Sequence, residues 1–372
     1  MDRPYTVKLI SASFSENSGS GVIEYSVRLA KALENEKSIK VYNSAVIKGN
    51  VFLTPKRVYR SLDTAKKIKN PDLLHYTDPA MLLKNAIFAG YFLHKSKLIV
   101  TVHDLYMFRS IEPRSKIIKS KIAIIKRPFS LKSSIKRFVN LYGRPISIIT
   151  LVIGLRFAVK HSDRIICVSE KTRDLLVNKF GIDRKKCEVI YPIISKEFKP
   201  MNVKKGKKII IGHISSYFPN KNVGVLIDAF KELVDSNFEL HLYGGALPFR
   251  IDDDKRIKYY GFIPTKDIPK VMNSFDVFVF PSAYEGFGMP AIEAKRCKIP
   301  VITYKKGELP DIVKRNTLQF MDKRDLVNLL KGKKWSIINL DKAYNDTRKC
   351  EPQYVAKQIT ELYKEVIKNK NE

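Results

Sequence analysis

The sequence predicts an α/β protein made of two Rossmann-like domains that face a central cleft. Three observations carry that expectation. Apolar, β-branched runs alternate with helix-period segments through the first 200 residues, the βαβ rhythm of a mostly parallel sheet covered by helices. The rhythm stops at a polar, lysine-rich stretch, KEFKPMNVKKGKK (196–208), and then restarts. With 372 residues, the chain is also long enough for two ordinary domains.

In the first domain, residues 1–200, short runs rich in β-branched residues read as strands: YTVKLIS (5–11), KLIVTVHDL (97–105), DRIICVS (163–169) and CEVIYPI (187–193). After the first of these, VIEYSVRLAKALE (22–34) places Val22, Ile23, Val27, Ala30 and Leu33 at helical spacing, so an amphipathic helix is expected. The second domain, residues 201–350, repeats the scheme. Strands are expected at IIIGHIS (209–215), ELHLYGG (239–245), IKYYGF (257–262) and VFVFP (277–281), with helices at 223–235, at 266–275 and after Pro290. The end of the chain, residues 351–372, has a helical pattern carried by Val355, Ile359, Leu362 and Ile367. The apolar run ISIITLVIGL (146–155) is too short to span a bilayer and reads as a buried or interfacial helix.

Composition narrows the class. A 44% hydrophobic content is that of a globular chain. The start, MDRPYTVKLISASF, has no long apolar run before polar residues resume, so a cytoplasmic protein is expected. Cys167, Cys187, Cys297 and Cys350 form no C-x-x-C pair, which argues for reduced, buried thiols over a zinc site or a disulfide framework. Lys and Arg number 69 against 37 Asp and Glu, a net charge of +32, and such a surplus implies acidic partners. Nucleic acid, an anionic membrane surface and phosphorylated substrates all qualify. No zinc finger, RRM signature or helix-turn-helix signal supports nucleic acid.

The positive charge is concentrated. Residues 107–160 hold thirteen basic residues and one acid, Glu112. Ile118, Ile122 and Ile125 share a helical face away from Lys116, Lys119 and Lys126; Ile135, Phe138, Val139 and Tyr142 do the same beside Lys132, Lys136 and Arg137. Such faces suit anionic lipid at the inner surface of a membrane. They equally suit packing on the sheet with solvated lysines.

The richest stretch is PSAYEGFGMPAIEAKRCKIP (281–300), which sets Glu285 and Glu293 eight residues apart across a glycine turn. Gly286, Phe287 and Gly288 let the backbone approach a ligand, and Pro290 after Met289 suits a first helical turn. Unpaired amides at that helix start make an anion site. Carboxylates before the turn and in the helix would accept hydrogen bonds from sugar hydroxyls beside a bound phosphate. The plainer reading is a common strand–helix turn, with Glu293 only favouring the positive helix end.

EGFGMPAIE resembles the E-x7-E signature of the retaining glycosyltransferases of family 4, and the order of motifs around it is similar. The resemblance implies the GT-B architecture, a last helix that crosses back to the first domain, a nucleoside-diphosphate-sugar donor and a glycan or lipid-linked acceptor. Gly19, Ser20 and Gly21 resemble the family's glycine loop over the donor diphosphate and acceptor. His103 and Asp104 resemble the pair over the transferred sugar: His103 would bond the sugar and Asp104 help fix the acceptor loop, neither being a nucleophile. DRIICVS resembles a strand whose Ser169 caps the next helix. In IGHISSYFPNKN, Gly212 begins a turn and Lys221 matches the lysine that neutralises the diphosphate, but His213 stands where an arginine is expected. A charge-assisted hydrogen bond lost there would cost about 1.5–3 kcal/mol if unreplaced. Ile263 and its neighbours would line the nucleobase pocket.

The resemblance further implies that Glu285 binds hydroxyls of the transferred sugar and Glu293 those of the ribose. Attack comes from the face the diphosphate leaves, so no protein base is needed. Asp252 to Asp254 contain a D-x-D string of the kind that holds metal in a different transferase fold, but nothing around it resembles that fold, so neither metal nor cofactor is expected. The missing arginine leaves room for a nucleotide-sugar binder without catalysis, and the charge for a nucleic-acid binder. The sequence does not specify the oligomeric state.

Overall fold

The computed structural model describes residues 3–11, 21–45, 71–79, 96–105, 155–247, 251 and 254–369. The glycine-loop residues Gly19 and Ser20, the basic segment up to residue 154, and Asp252 with Asp253 lie outside them.

Among the described residues the strands form two six-stranded sheets. The first contains β1 (Tyr5–Ser11), β2 (Ile39–Ala45), β3 (Leu73–Tyr76), β4 (Lys97–Val102), β5 (Arg164–Cys167) and β6 (Cys187–Val189) in the order β2-β1-β3-β4-β5-β6. The second contains β7 (Ile209–Ser215), β8 (Phe238–Gly244), β9 (Ile257–Tyr259), β10 (Val277–Phe280), β11 (Val301–Tyr304) and β12 (Leu318–Phe320) in the order β12-β11-β10-β7-β8-β9. Every pairing is parallel. Parallel strands are covered on both faces, which is why β3, β4 and β10 are apolar almost throughout and wholly or nearly wholly buried.

Each order reverses direction once, and ligands of open α/β sheets bind outside the carboxyl ends of the strands at that switch. In the first sheet the switch lies between β1 and β3, in the second between β7 and β10.

Several strands are shorter than their sequence patterns. The run 97–105 leaves the sheet after Val102, so His103 and Asp104 sit in the loop beyond β4. The 187–193 run pairs only as far as Val189, because the chain turns toward Pro192 and the second domain. Strands β2, β3, β11 and β12 were not among those expected. β3 and β11 have four residues and β12 three, and β2 (IKVYNSA) is an edge strand with polar residues.

Helices cover the sheets: α1 (Gly21–Leu33), α2 (Glu170–Phe180), α3 (Val223–Lys231), α4 (Ile268–Asn273), α5 (Met289–Arg296), α6 (Asp311–Lys314), α7 (Lys323–Lys331), α8 (Leu340–Asp346) and α9 (Pro352–Lys368). Helix α9 packs on α1, its Val355, Ile359 and Tyr363 joining Val7, Leu29 and Leu33 in one buried cluster. The Tyr363 hydroxyl meets Nδ1 of His75 on β3, so the last helix is anchored in the first domain. Two chain segments thus pass between domains. They are tied together where the Ile194 amide donates to the Cys350 carbonyl at 2.9 Å. All four cysteines are buried free thiols. Among the described residues no helix is long and apolar enough to cross a membrane.

Candidate functional site

The switch point of the second sheet holds the charged residues singled out from sequence. After β7 the chain makes a short turn and presents Lys221; after β10 it presents Glu285. The Lys221 Nζ lies 2.8 Å from both oxygens of the Glu285 carboxylate, and both side chains are mostly buried. The two loops are stapled by backbone and amide bonds. The Ala283 amide donates to Asn220 O at 2.8 Å, Asn220 Nδ2 donates to Tyr284 O at 3.1 Å, and Asn222 Nδ2 donates to Pro281 O at 3.3 Å. A third segment braces the loop from the other side, since Glu308 N donates to Ala283 O at 2.8 Å.

The loop then meets the first domain. A Cβ on Gly286 would stand 1.9 Å from the His103 carbonyl oxygen and 2.7 Å from Asp104 Cβ, so only glycine allows this approach. Ser169, the N-cap of α2, donates its hydroxyl to Gly286 O at 2.7 Å while accepting from its own helix at Thr172 N. The Leu105 amide donates to the Tyr284 hydroxyl at 3.3 Å. His103, Asp104, Lys221, Glu285 and Gly286 are thereby gathered where the loops after β4, β7 and β10 meet.

His103 is half-buried and donates from Nε2 to Thr77 O at 2.8 Å, with the Tyr25 ring edge-on against it. Burial holds its pKa below the ordinary value, against the Thr77 bond and the charges of Asp78 and Asp104. The neutral ring, protonated at Nε2, keeps Nδ1 as its acceptor.

Gly288 caps α5 with φ +99°, the left-handed region, and its position leaves a Cβ only 3.1 Å from Val313. Met289 and Pro290 form the first helical turn, so the amides before Ala291 precede the intrahelical ladder at the positive end of the helix dipole. Phe287 is buried against Tyr191. Glu293 lies one turn into α5. It is 5% exposed, and its Oε1 receives both terminal nitrogens of Arg28 from α1 at 3.1 Å. Ile263 lies half-buried in the loop after β9, beside Gly261, whose carbonyl accepts from Gly244 N at 2.7 Å. Gly21 is the first residue of α1.

Two expected diphosphate contacts do not reach the site. Gly212 lies within β7, where a Cβ would fall 2.1 Å from the Phe275 ring; its glycine makes room for the core. His213 is wholly buried, with Nδ1 against Val279 O and Nε2 against the Ser215 hydroxyl, each at 2.9 Å. Both nitrogens are engaged, so it cannot stand in for the absent arginine. Lys221 remains the cation of that motif.

Sequence reasoning missed Arg28 and Tyr284. Arg28 offered one signal, a lone cation amid the inward-facing residues of α1. Tyr284 offered none, since its role is a bond to a residue of the other domain.

Comparison with known proteins agrees with this geometry. A model described as Glycosyltransferase Family 4 matches residues 22–198, and one described as Glycosyl transferases group 1 matches residues 195–325, so the two run in tandem across most of the chain. The chain thus resembles the family 4 glycosyltransferases, and its fold is GT-B. An uncharacterized glycosyltransferase of Methanocaldococcus jannaschii is 30% identical over 217 residues, covering 56% of this chain and 60% of its own length. The phosphatidylinositol N-acetylglucosaminyltransferase GPI3 subunit of Saccharomyces cerevisiae is 24% identical over 196 residues, covering 48% of this chain and 43% of its own. The chain thus spans 60% and 43% of the lengths of these two relatives, less than two thirds of either. The crystal structure of Anabaena HepE in complex with UDP and glucose superposes with a TM-score of 0.68 at 18% identity, covering 97% of this GT-B chain and all of that one.

Proposed function

We propose that the protein transfers a hexose from a nucleoside-diphosphate sugar to an acceptor that is lipid-linked or lies at a membrane surface, with retention of configuration. The Lys221–Glu285 pair at the β7/β10 switch, locked through Gly286 to the His103–Asp104 loop of the other domain, carries this reading. Departure of a nucleoside diphosphate builds negative charge on the β-phosphate. Lys221 and the amides at 286–289 stabilise it, since fixed donors aimed at developing charge need little reorganisation. Glu285, once Lys221 turns to phosphate, accepts hydrogen bonds from the transferred sugar, and Nδ1 of His103 accepts another from the opposite domain. Glu293 accepts from the ribose hydroxyls, and the base lies by Ile263. The acceptor attacks from the face the phosphate leaves, and that phosphate takes its proton, so neither a metal nor a protein base is required.

A lipid-linked acceptor is supported by the phosphatidylinositol named for one relative and by the cationic segment 107–160. A second reading, donor binding without turnover, is favoured by one observation: His213 is sealed in the sheet and supplies no second cation.

The test begins with UDP-, GDP- and ADP-sugars as protectants against thermal unfolding, because a ligand that binds only the native state raises its melting point. The protecting donor is then assayed for hydrolysis and transfer with the parent and with Glu285→Gln. Turnover by the parent, reduced about a hundredfold or more in the variant, is expected. Protection without turnover in either protein supports the binder, and absence of protection by every donor overturns both readings.

A further inference from the structure

We propose that Arg28 is a positioning residue for the donor, reaching from the first domain to fix the Glu293 carboxylate of the second so that its Oε2 edge is presented to the ribose. The proposal rests on the nucleotide-sugar reading above. Arg28 sits on α1 with its side chain 7% exposed. Its Nε donates to Glu24 Oε1 at 3.0 Å, Nη1 donates to Ile193 O at 3.2 Å, and Nη1 and Nη2 both donate to Glu293 Oε1 at 3.1 Å. The guanidinium also stands 5.6 Å over the Phe198 ring. Helix α1, the interdomain linker and the donor helix α5 therefore meet at one rigid cation.

The convergence on Oε1 is informative, because a guanidinium facing a carboxylate ordinarily spreads its bonds over both oxygens. Here Oε2 lies outside the fork. The groups around the carboxylate are Arg28 and Glu24 from α1 and Cys297 on its own helix. Burial pushes the Glu293 pKa up, Arg28 pulls it down, and Glu24 adds a smaller upward push. Arg28 thus opposes the burial that favours the neutral carboxyl, and orients the acceptor as well. Lysine at this place would carry the charge on one point and lose the fork.

The experiment measures affinity for the nucleoside diphosphate of whichever donor protects the parent, by calorimetry from about pH 5 to about pH 8. The proteins are the parent, Arg28→Lys, Glu293→Gln, and the double variants Arg28→Lys/Glu293→Gln and Arg28→Gln/Glu293→Gln. Each is also unfolded thermally without ligand. We expect Arg28→Lys to weaken binding about tenfold at neutral pH, with a steeper loss toward low pH than the parent shows. In the Glu293→Gln background the same substitution should change affinity by less than about twofold, because residues acting as one unit are non-additive. The Arg28→Gln/Glu293→Gln protein removes both buried charges together and keeps the comparison open if a single variant folds poorly. Parent-like affinity and pH profile in Arg28→Lys, or additive losses in the double variants, would overturn the proposal and leave the nucleotide-sugar reading standing. Failure of the parent to bind any nucleotide overturns both.

Discussion

Burial separates the roles of the histidines near the site. His213 and His75 are wholly enclosed, and burial holds their pKa values at about 4 and about 3. At His213 the bond to Val279 O opposes burial and the charge of Lys221 assists it. The unfolded chain takes up a proton near the ordinary value of 6.5 and folded His213 does not until about 4, so between these values the unfolded state binds more protons. Stability therefore falls as pH drops through that window and is unaffected by this group above it. For His213 alone the loss approaches about 3 kcal/mol. Urea unfolding of the parent and His213→Asn at several pH values checks this: the difference in stability should shift steadily between about pH 6.5 and about pH 4. A constant difference would show that the ring is already protonated or exposed. Lys221, Glu285 and Gly286 were picked out from sequence because they stand in short motifs that resemble those of family 4. The places of His213 and Gly212 were not legible, since they lie inside a strand and their direction depends on which face each residue occupies.

At the scale of elements, two glycines in similar motifs do opposite work. Gly286 is the contact between the loop after β10 and the loop after β4, whereas Gly212 is core space for Phe275. Gly286→Ala should push the domains apart at this contact, costing donor affinity and turnover more than it costs melting temperature. Gly212→Ala should act the other way, destabilising by about 1–3 kcal/mol through overpacking while the folded fraction keeps its affinity. Thermal unfolding together with calorimetry of nucleotide binding distinguishes them, and matching profiles for the two variants would contradict this assignment. The long strands β1 and β7 were readable to their ends because seven residues establish composition and period. The short β3 and β11 were not read, although β5 and β10, of the same four-residue length, were, since the strand character of so short a run also depends on the neighbours that pair with it.

For the whole molecule, a charge of +32 with thirteen basic residues inside 107–160 sets the expected partner surface. Cosedimentation should show binding to vesicles containing anionic lipid, little to zwitterionic vesicles, and release near 0.5 M salt, where the screening length falls to about 4 Å. Salt-insensitive binding, or equal binding to both vesicles, would count against an electrostatic lipid surface. Composition and periodicity, readable within windows of a few tens of residues, determined the doubled α/β plan and the surplus of charge, carboxylate spacing across a glycine turn offered Glu285, and resemblance of a short motif to family 4 offered Lys221. Tertiary structure alone decided that His213 is sealed in the sheet, that Gly212 serves the core, and that Glu293 is held by an arginine 265 residues away in sequence. The reason is physical: a residue's type and spacing reveal what it can do, but its partner is chosen by how the two sheets and the returning last helix bring distant segments together.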